Sequence, residues 1–323
     1  MADTAETADA PGPARLRELL ESGLHFGHQT RRWNPRMRNY IHGERDGIHV
    51  IDLLQTRQLL EDAAAFAAEV AARGGTVLFV GTKKQAGDAI AESAKAGGMP
   101  FVNKRWLGGL LTNFATISKR IARLQELTVL DAEGQLDLLP TKERMARRAE
   151  LQKLEFNLGG VRDMTRPPDA VFIVDLKAEE IALKEAVRLR IPVIALVDTN
   201  CNPDQVDYVI PGNDDALRSC GLVVRAIGEA VTDAAADWRE AERRRIAEEE
   251  ARRAAEREAA EKARAEAEAK AAEEARAAAV AAEAAKLAAA KPAERPDPAA
   301  ASDLAPIREG GSAAASAGVD GAS

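Results

Sequence analysis

The run from His25 to Ile41, HFGHQTRRWNPRMRNYI, sets four arginines, a tryptophan, a tyrosine and two histidines into seventeen positions without an acidic residue. The whole chain is only 4% aromatic and carries a formal charge of -7, so this local concentration of guanidinium groups and flat rings stands apart. Arg31, Arg32, Arg36 and Arg38 can neutralise phosphates and release counterions. Rings such as Trp33 and Tyr40 can stack on unpaired bases, each stack being worth about 1 to 3 kcal/mol. The chemistry these residues suit is an RNA-facing surface, although a solvated basic face has the same composition. Asn34 and Pro35 interrupt any helix, so the spacing predicts an ordered loop or extended arm.

A second set of residues suits a cation. Asp198 follows the apolar run Val193 to Val197, and Asp214 and Asp215 follow PGN where a helix is expected to open, so the three converge on one rim if the apolar runs are parallel strands. Clustered carboxylates repel unless a cation, a base or a helix N-terminus compensates them. Zinc or magnesium completed by His28 or His25 would do so, and imidazole with carboxylates suits zinc better than calcium. The alternative is helix capping by Asp214 with Asp198 bonding a turn. Nothing else in the sequence requires a cofactor.

Motifs of α/β enzymes are missing. The glycine-bearing turn VGTKKQAGD lacks GxGxxG; Gly81 and Gly87 stand one residue too far apart for a phosphate-binding loop, and Asp88 occupies the lysine position. No GxSxG, HExxH, or serine or cysteine triad spacing occurs. Lys83 and Lys84 at a helix N-terminus could still hold a phosphate, so a nucleotide- or sugar-phosphate-binding α/β enzyme stays as the alternative, with a free RNA-binding regulator as a third.

The elements that must position these residues alternate. His49 to Ile51, Val77 to Val80, Phe101 and Val102, Val171 to Val174, Val193 to Val197 and Tyr208 to Ile210 read as strands, several too continuously apolar to face water. Gln55 to Ala72, Lys83 to Ala96 and Ala178 to Arg190 carry apolar or alanine positions three and four apart, as helices do. The pattern predicts a parallel sheet with helices on both faces, spanning residues 15–109 and 159–238. Residues 110–158 break the alternation: Phe114, Ile117, Ile121 and Leu124, then Met145, Leu151, Leu154 and Leu158, predict an inserted antiparallel helical hairpin, with Thr141 as an N-cap.

Both ends differ from this body. Residues 1–14 carry a net -3, residues 240–323 carry 14 basic and 18 acidic groups, and the remainder is neutral. Residues 239–291 are mostly alanine, glutamate and arginine, with acids four positions before bases at Glu248 and Arg252 and at Glu258 and Lys262. They predict a solvated helix, about 75 Å long if continuous. Residues 1–14 and 292–323 have linker-like composition. Cys201 and Cys220 show neither CxxC nor metal-finger spacing and read as buried fillers in a reducing cytoplasm. No secretory leader or bilayer-spanning stretch is expected, hence no membrane partner, and no DNA partner either.

Six blocks in order carry a resemblance. HFGHQTRRWNPRMRNYIHGERDGIHVIDL from His25, VGTKKQAGDAI from Val80, VNKRWLGGLLTNFATI from Val102, LEFNLGGVRDM from Leu154, PDAVFIVD from Pro168 and IPVIALVDTNCNPDQVDYVIPGNDDALRS from Ile191 closely resemble bacterial small-subunit ribosomal protein two. The match runs from about Leu16 to Val231. The resemblance implies a flavodoxin-like (Rossmann-like) α/β domain with a coiled-coil hairpin and no catalysis. It implies a cytoplasmic, ribosome-associated protein that binds small-subunit (16S) ribosomal RNA on the solvent side, where head meets body, among other small-subunit proteins. Docking of the large messenger-binding ribosomal protein one belongs to the same implication. Carried onto this chain, the RNA-facing residues are Arg31, Arg32, Trp33, Arg36 and Arg38, then Lys83 and Lys84, then Asn103, Lys104, Arg105 and Trp106, then Arg162. Trp33 and Trp106 could instead anchor their loops by packing.

Overall fold

The computed structural model describes residues 16–289, so the segments 1–14 and 292–323 discussed above lie outside the described residues. The elements run α1 (Leu16–Glu21), β1 (Phe26–Gln29), β2 (Ile41–Arg45), β3 (Ile48–Ile51), α2 (Leu53–Ala72), β4 (Val77–Val80), α3 (Lys84–Gly97), β5 (Phe101–Val102), α4 (Phe114–Ala132), α5 (Thr141–Leu158), β6 (Ala170–Val174), α6 (Glu180–Leu189), β7 (Val193–Val197), β8 (Tyr208–Pro211) and α7 (Leu217–Ala289).

Five strands pair in parallel in the order β5-β4-β6-β7-β8. Counting only these five, the order is 2-1-3-4-5, that of flavodoxin-like sheets, which agrees with the α/β expectation. β4, β6 and β7 are buried at every position, because helices cover both faces. Side chains alternate between two apolar clusters: Val77, Phe79, Phe172 and Leu196 pack with α2, α3 and the start of α7, whereas Leu78, Val80, Ile173 and Val197 pack with α6, the base of α4, and Met37. Cys201 and Cys220 are buried, and burial pushes both thiols up to about 12, as inert fillers require.

Three expectations need correction. His49 to Ile51 forms β3, but in a separate antiparallel sheet of order β1-β3-β2, not in the parallel one. The arginine segment between β1 and β2 is two 3-10 turns, Thr30–Arg32 and Pro35–Tyr40, and the break falls at Asn34, whose side chain accepts from the Arg36 N–H. Thr141 is the first residue of α5, with Pro140 in the cap position and no side-chain cap bond, because proline fixes the extended backbone that the cap needs.

The inserted hairpin forms, with Ile117, Ile121, Leu124 and Leu127 of α4 buried, although Met145 on α5 is exposed. α7 starts at Leu217, later than Asp214 and Asp215 suggested, because the Asn213 side chain accepts from the N–H groups of Asp215 and Ala216. Cys220, Val223, Val224, Ile227 and Val231 of this helix are buried in the body. The chain divides into two units, 1–250 and 251–323, and in the second every described side chain through Lys286 is exposed. Lys262 pairs with Glu258 at 2.7 Å as expected, while Arg252 pairs forward with Glu256 at 3.6 Å. No helix among the described residues is long and apolar enough to cross a membrane.

Candidate nucleic-acid interface

In sheets of this order the crevice beyond the strand carboxyl ends, where the order reverses, receives the ligand. The strand ends here deliver Lys83 after β4, Asp175 after β6, Asp198 after β7 and Asp214 after β8 to that rim. The Lys83 ammonium lies 3.2 Å from Asp175, 2.9 Å from Asp214 and 2.6 Å from Asp215. Burial works against its charge, but the Asp215 and Asp214 carboxylates win and hold it protonated beyond the ordinary lysine range. Asp214 is almost fully buried; burial first, then Asp175 and Asp198, push its carboxyl up to about 7.

His28 completes the network, with Nδ1 3.1 Å from Asp198 and Nε2 3.5 Å from Asp215. The Asp198 bond raises the imidazole above its usual value. Lys83 is therefore held as a counter-ion by three carboxylates, with its side chain only 21% exposed. His25 stays apart from the proposed metal set. Its ring lies 4.0 Å from Phe26, and among the described residues no ion pair joins it to the carboxylates. Asp175, Cys201 and Asp214 can also bring ligand atoms within 4.8 Å of one another.

Asp175 was not singled out among the rim residues, yet it ends the VFIVD run and sits at φ 68. Its side chain accepts from the N–H groups of Lys177 and Ala178, which lets a non-glycine residue hold that left-handed turn.

The arginine segment is fastened to this rim. The His28 N–H donates to the Thr199 hydroxyl at 2.8 Å, and the Asn34 N–H to the Thr199 carbonyl at 2.8 Å. A Cβ on Gly27 would stand 2.6 Å from the Thr199 methyl, so the approach requires glycine. From this base Arg31, Arg32, Arg36 and Arg38 are all exposed, and Met37 between them is buried as the anchor. Arg36 pairs with Asp204 and Arg31 bonds Gln29, while Arg38 makes no ion pair among the described residues. Trp33 is half-buried, its ring tilted against His49 at 5.0 Å.

The other residues carried over fall in different settings. Lys84, Lys104, Arg105 and Arg162 are exposed. Asn103 donates to the Gly87 carbonyl at 3.2 Å. Trp106 is 7% exposed, and its indole N–H donates to Glu185 at 3.2 Å, so it is a packing anchor and offers no face to a base.

Glu185 escaped the sequence reading. It is buried and also accepts from the N–H groups of Gly109, Leu111 and Thr112. Burial alone would raise its carboxyl, but these donors hold it below the ordinary range. An acid beside the apolar positions Ala182, Leu183 and Ala186 of α6 was the available signal.

Comparison with known proteins agrees with this geometry. A family model described as Ribosomal protein S2 matches residues 19–234. The chain is similar to small ribosomal subunit protein uS2 of Acidothermus cellulolyticus, 58% identical over 219 residues that cover 68% of this chain and 80% of the relative. It is also similar to the uS2 proteins of Thermobifida fusca, at 56% with 75% of the relative covered, and of Streptomyces coelicolor, at 57% with 71% covered; each match takes in 68% of this chain. With the flavodoxin-like strand order, the inserted hairpin and the fastened arginine segment in place, the chain belongs to the ribosomal protein S2 family.

Proposed function

We propose that this protein is a non-catalytic structural constituent of the small ribosomal subunit that grips ribosomal RNA through the arginine segment. It works in the cytoplasm, associated with the ribosome. The observation that carries the reading is the contrast at the rim. The crevice where an α/β enzyme binds its ligand is an open cavity of about 520 Å³ whose lysine, Lys83, is already paired with Asp175 and Asp214, while four exposed arginines stand on a base fastened by Thr199. Arg31, Arg32, Arg36 and Arg38 take phosphates, with Lys84, Lys104, Arg105 and Arg162 as further cationic contacts. Placement at the head-body junction on the solvent side and docking of ribosomal protein one are the finer parts of the proposal. Sedimentation of a lysate through sucrose tests it: co-migration with small subunits that falls away in high salt is expected, and a wholly free pool overturns it.

A divalent ion is a second assignment to the rim, supported by charge balance. Asp175, Asp198, Asp214 and Asp215 face one ammonium and one imidazole, which leaves surplus negative charge. Asp175, Cys201 and Asp214 bring ligand atoms within 4.8 Å of one another and would hold zinc, whereas His28 meets Asp198 and Asp215 through opposite ring nitrogens and cannot join both on one ion; Lys83 already neutralises part of what such an ion would. Metal analysis of the purified protein and of Asp214→Ala decides: metal in the first and not in the second supports the assignment, and two metal-free samples discard it.

A further inference from the structure

A cleft of about 620 Å³ lies along β5, away from the arginine segment, between the end of α3, the end of α5 and the turn that follows it. Its size is that of a small-ligand site. The sheet ends at β5, and an edge strand must be covered or blunted. The turn Gly159–Val161 does the covering: a Cβ on Gly160 would stand 2.2 Å from the Phe101 carbonyl, so only glycine lets the backbone come so close. This contact shapes one wall of the cleft.

Lys95, Lys104, Arg162 and Arg166 line it against two acids, Glu155 and Asp163, and Arg166 is held by Asp169 at 3.0 Å, which leaves a surplus of one positive charge. Lys104 makes no ion pair among the described residues, and the Arg162 pair with Asp163 is long, at 3.6 Å between exposed groups, hence weak. Phe156, in the last turn of α5, also lines the cleft and is 60% exposed. An exposed phenylalanine alone is unremarkable. One beside the unpaired Lys104 and the weakly paired Arg162, in a cleft of nucleotide size, combines the stacking face and the phosphate ligands that single-stranded nucleic acid uses.

We propose that this cleft receives one unpaired nucleotide of RNA, its base on the Phe156 ring and its phosphate between Lys104 and Arg162. The inference rests on the RNA-binding reading and adds to it a second contact, separate from the arginine segment. Lys95, Arg166 and Phe156 join the interface here.

The test uses the full-length protein and a short fluorescein-labelled oligouridine at low salt, with a blunt RNA duplex and polyglutamate as competing probes. Phe156→Ala is expected to weaken oligouridine binding about tenfold and Phe156→Tyr to keep it. Replacing Lys104 and Arg162 with alanine is expected to lower the salt slope of binding by about 1 to 2. Because Phe156 is exposed, thermal unfolding checks that each variant is folded. Equal oligouridine affinity in folded Phe156→Ala overturns the proposal. So does polyglutamate binding that needs Phe156, which would make this a protein-docking surface, or preference for the duplex. Incorporation into small subunits, measured on the same preparations, separates the levels. Normal incorporation with no Phe156 effect removes the cleft alone, whereas failure of the native protein to incorporate removes the RNA reading and the cleft with it.

Discussion

The carboxyl rim and the arginine segment are neighbours with opposite uses of charge. At the rim, Lys83 and His28 meet Asp175, Asp198, Asp214 and Asp215, so each charge is held by another charge of the same chain. On the segment, Arg32 and Arg38 are exposed and make no ion pair among the described residues. A charge already met inside the protein stabilises the fold and has little left for a partner. An exposed one contributes almost nothing to stability and keeps its full attraction for phosphate. Sequence composition counts both alike, which is why Lys83 read as a phosphate ligand with no sign of the three carboxylates that surround it.

The largest effect should come from removing the central cation. Lys83→Ala leaves the buried Asp175 and Asp214 without the cation that they share with the exposed Asp215. The expected loss is about 3 kcal/mol, the low end for breaking a buried pair, since part of the side chain meets water. Denaturant unfolding reads it directly. A loss under about 0.5 kcal/mol would mean that water, not Lys83, balances the carboxylates.

The reverse pattern is expected on the segment. Changing Arg31, Arg32, Arg36 and Arg38 to alanine should leave unfolding within about 1 to 2 kcal/mol, mostly from mutual repulsion and minor pairs, and lower the salt slope of ribosomal RNA binding by about 3. Arg36→Ala alone should matter less than Arg38→Ala, because Asp204 already holds Arg36. Equal effects would show that the Arg36 pair opens on binding. Filter binding across a salt series measures both.

How legible these two regions were follows from what periodicity can and cannot report. The parallel strands were readable because Val77 to Val80, Val171 to Val174 and Val193 to Val197 are apolar at every position, which only burial on both faces requires. The antiparallel β1-β3-β2 sheet was not, because His49 and Val50 resemble any short apolar run, and nothing local states which edge they join. The rim was half legible. Asp198 and Asp214 could be placed at strand ends, but the direction in which Lys83 points depends on strand order, a long-range fact. Glu185 was hidden for the same reason: its donors lie more than seventy residues away, on Trp106 to Thr112.

A smaller effect should separate the rim by pH. Asp214 has a folded value of about 7, above its ordinary 3.8, so between those values the folded state binds more protons than the unfolded one. Stability therefore falls as pH rises from about 4 to 7. His28, raised by Asp198, acts in the same direction: its contribution is complete below 6.5 and lost as pH passes its raised value. Chelator-treated protein should unfold at lower temperature at pH 8 than at pH 5.5, and Asp214→Asn should flatten that difference. A steeper dependence in the variant would locate the titration elsewhere. The arginine variant should keep the native pH profile, since guanidinium groups do not titrate here.

The smallest effect expected is from deleting residues 240–323. The body keeps its share of α7: Val223, Val224, Ile227 and Val231 are buried, and Arg239 donates to the Gly97 carbonyl at 3.1 Å. Beyond that point the described helix holds itself by pairs four apart, such as Glu258 with Lys262 and Arg264 with Glu268, worth about 0.3 to 0.5 kcal/mol each. Those energies belong to the tail helix, and none is lost by the body when the tail goes. What the cut adds is a carboxylate at a helix C-terminus, unfavourable by about 0.3 to 1 kcal/mol. The midpoint of thermal unfolding should thus move down by no more than that small penalty implies, and truncation after Glu250 should move it less. A drop comparable to that of Lys83→Ala would show that the body draws stability from residues beyond Arg239, and would place the tail with the rim and not with the segment.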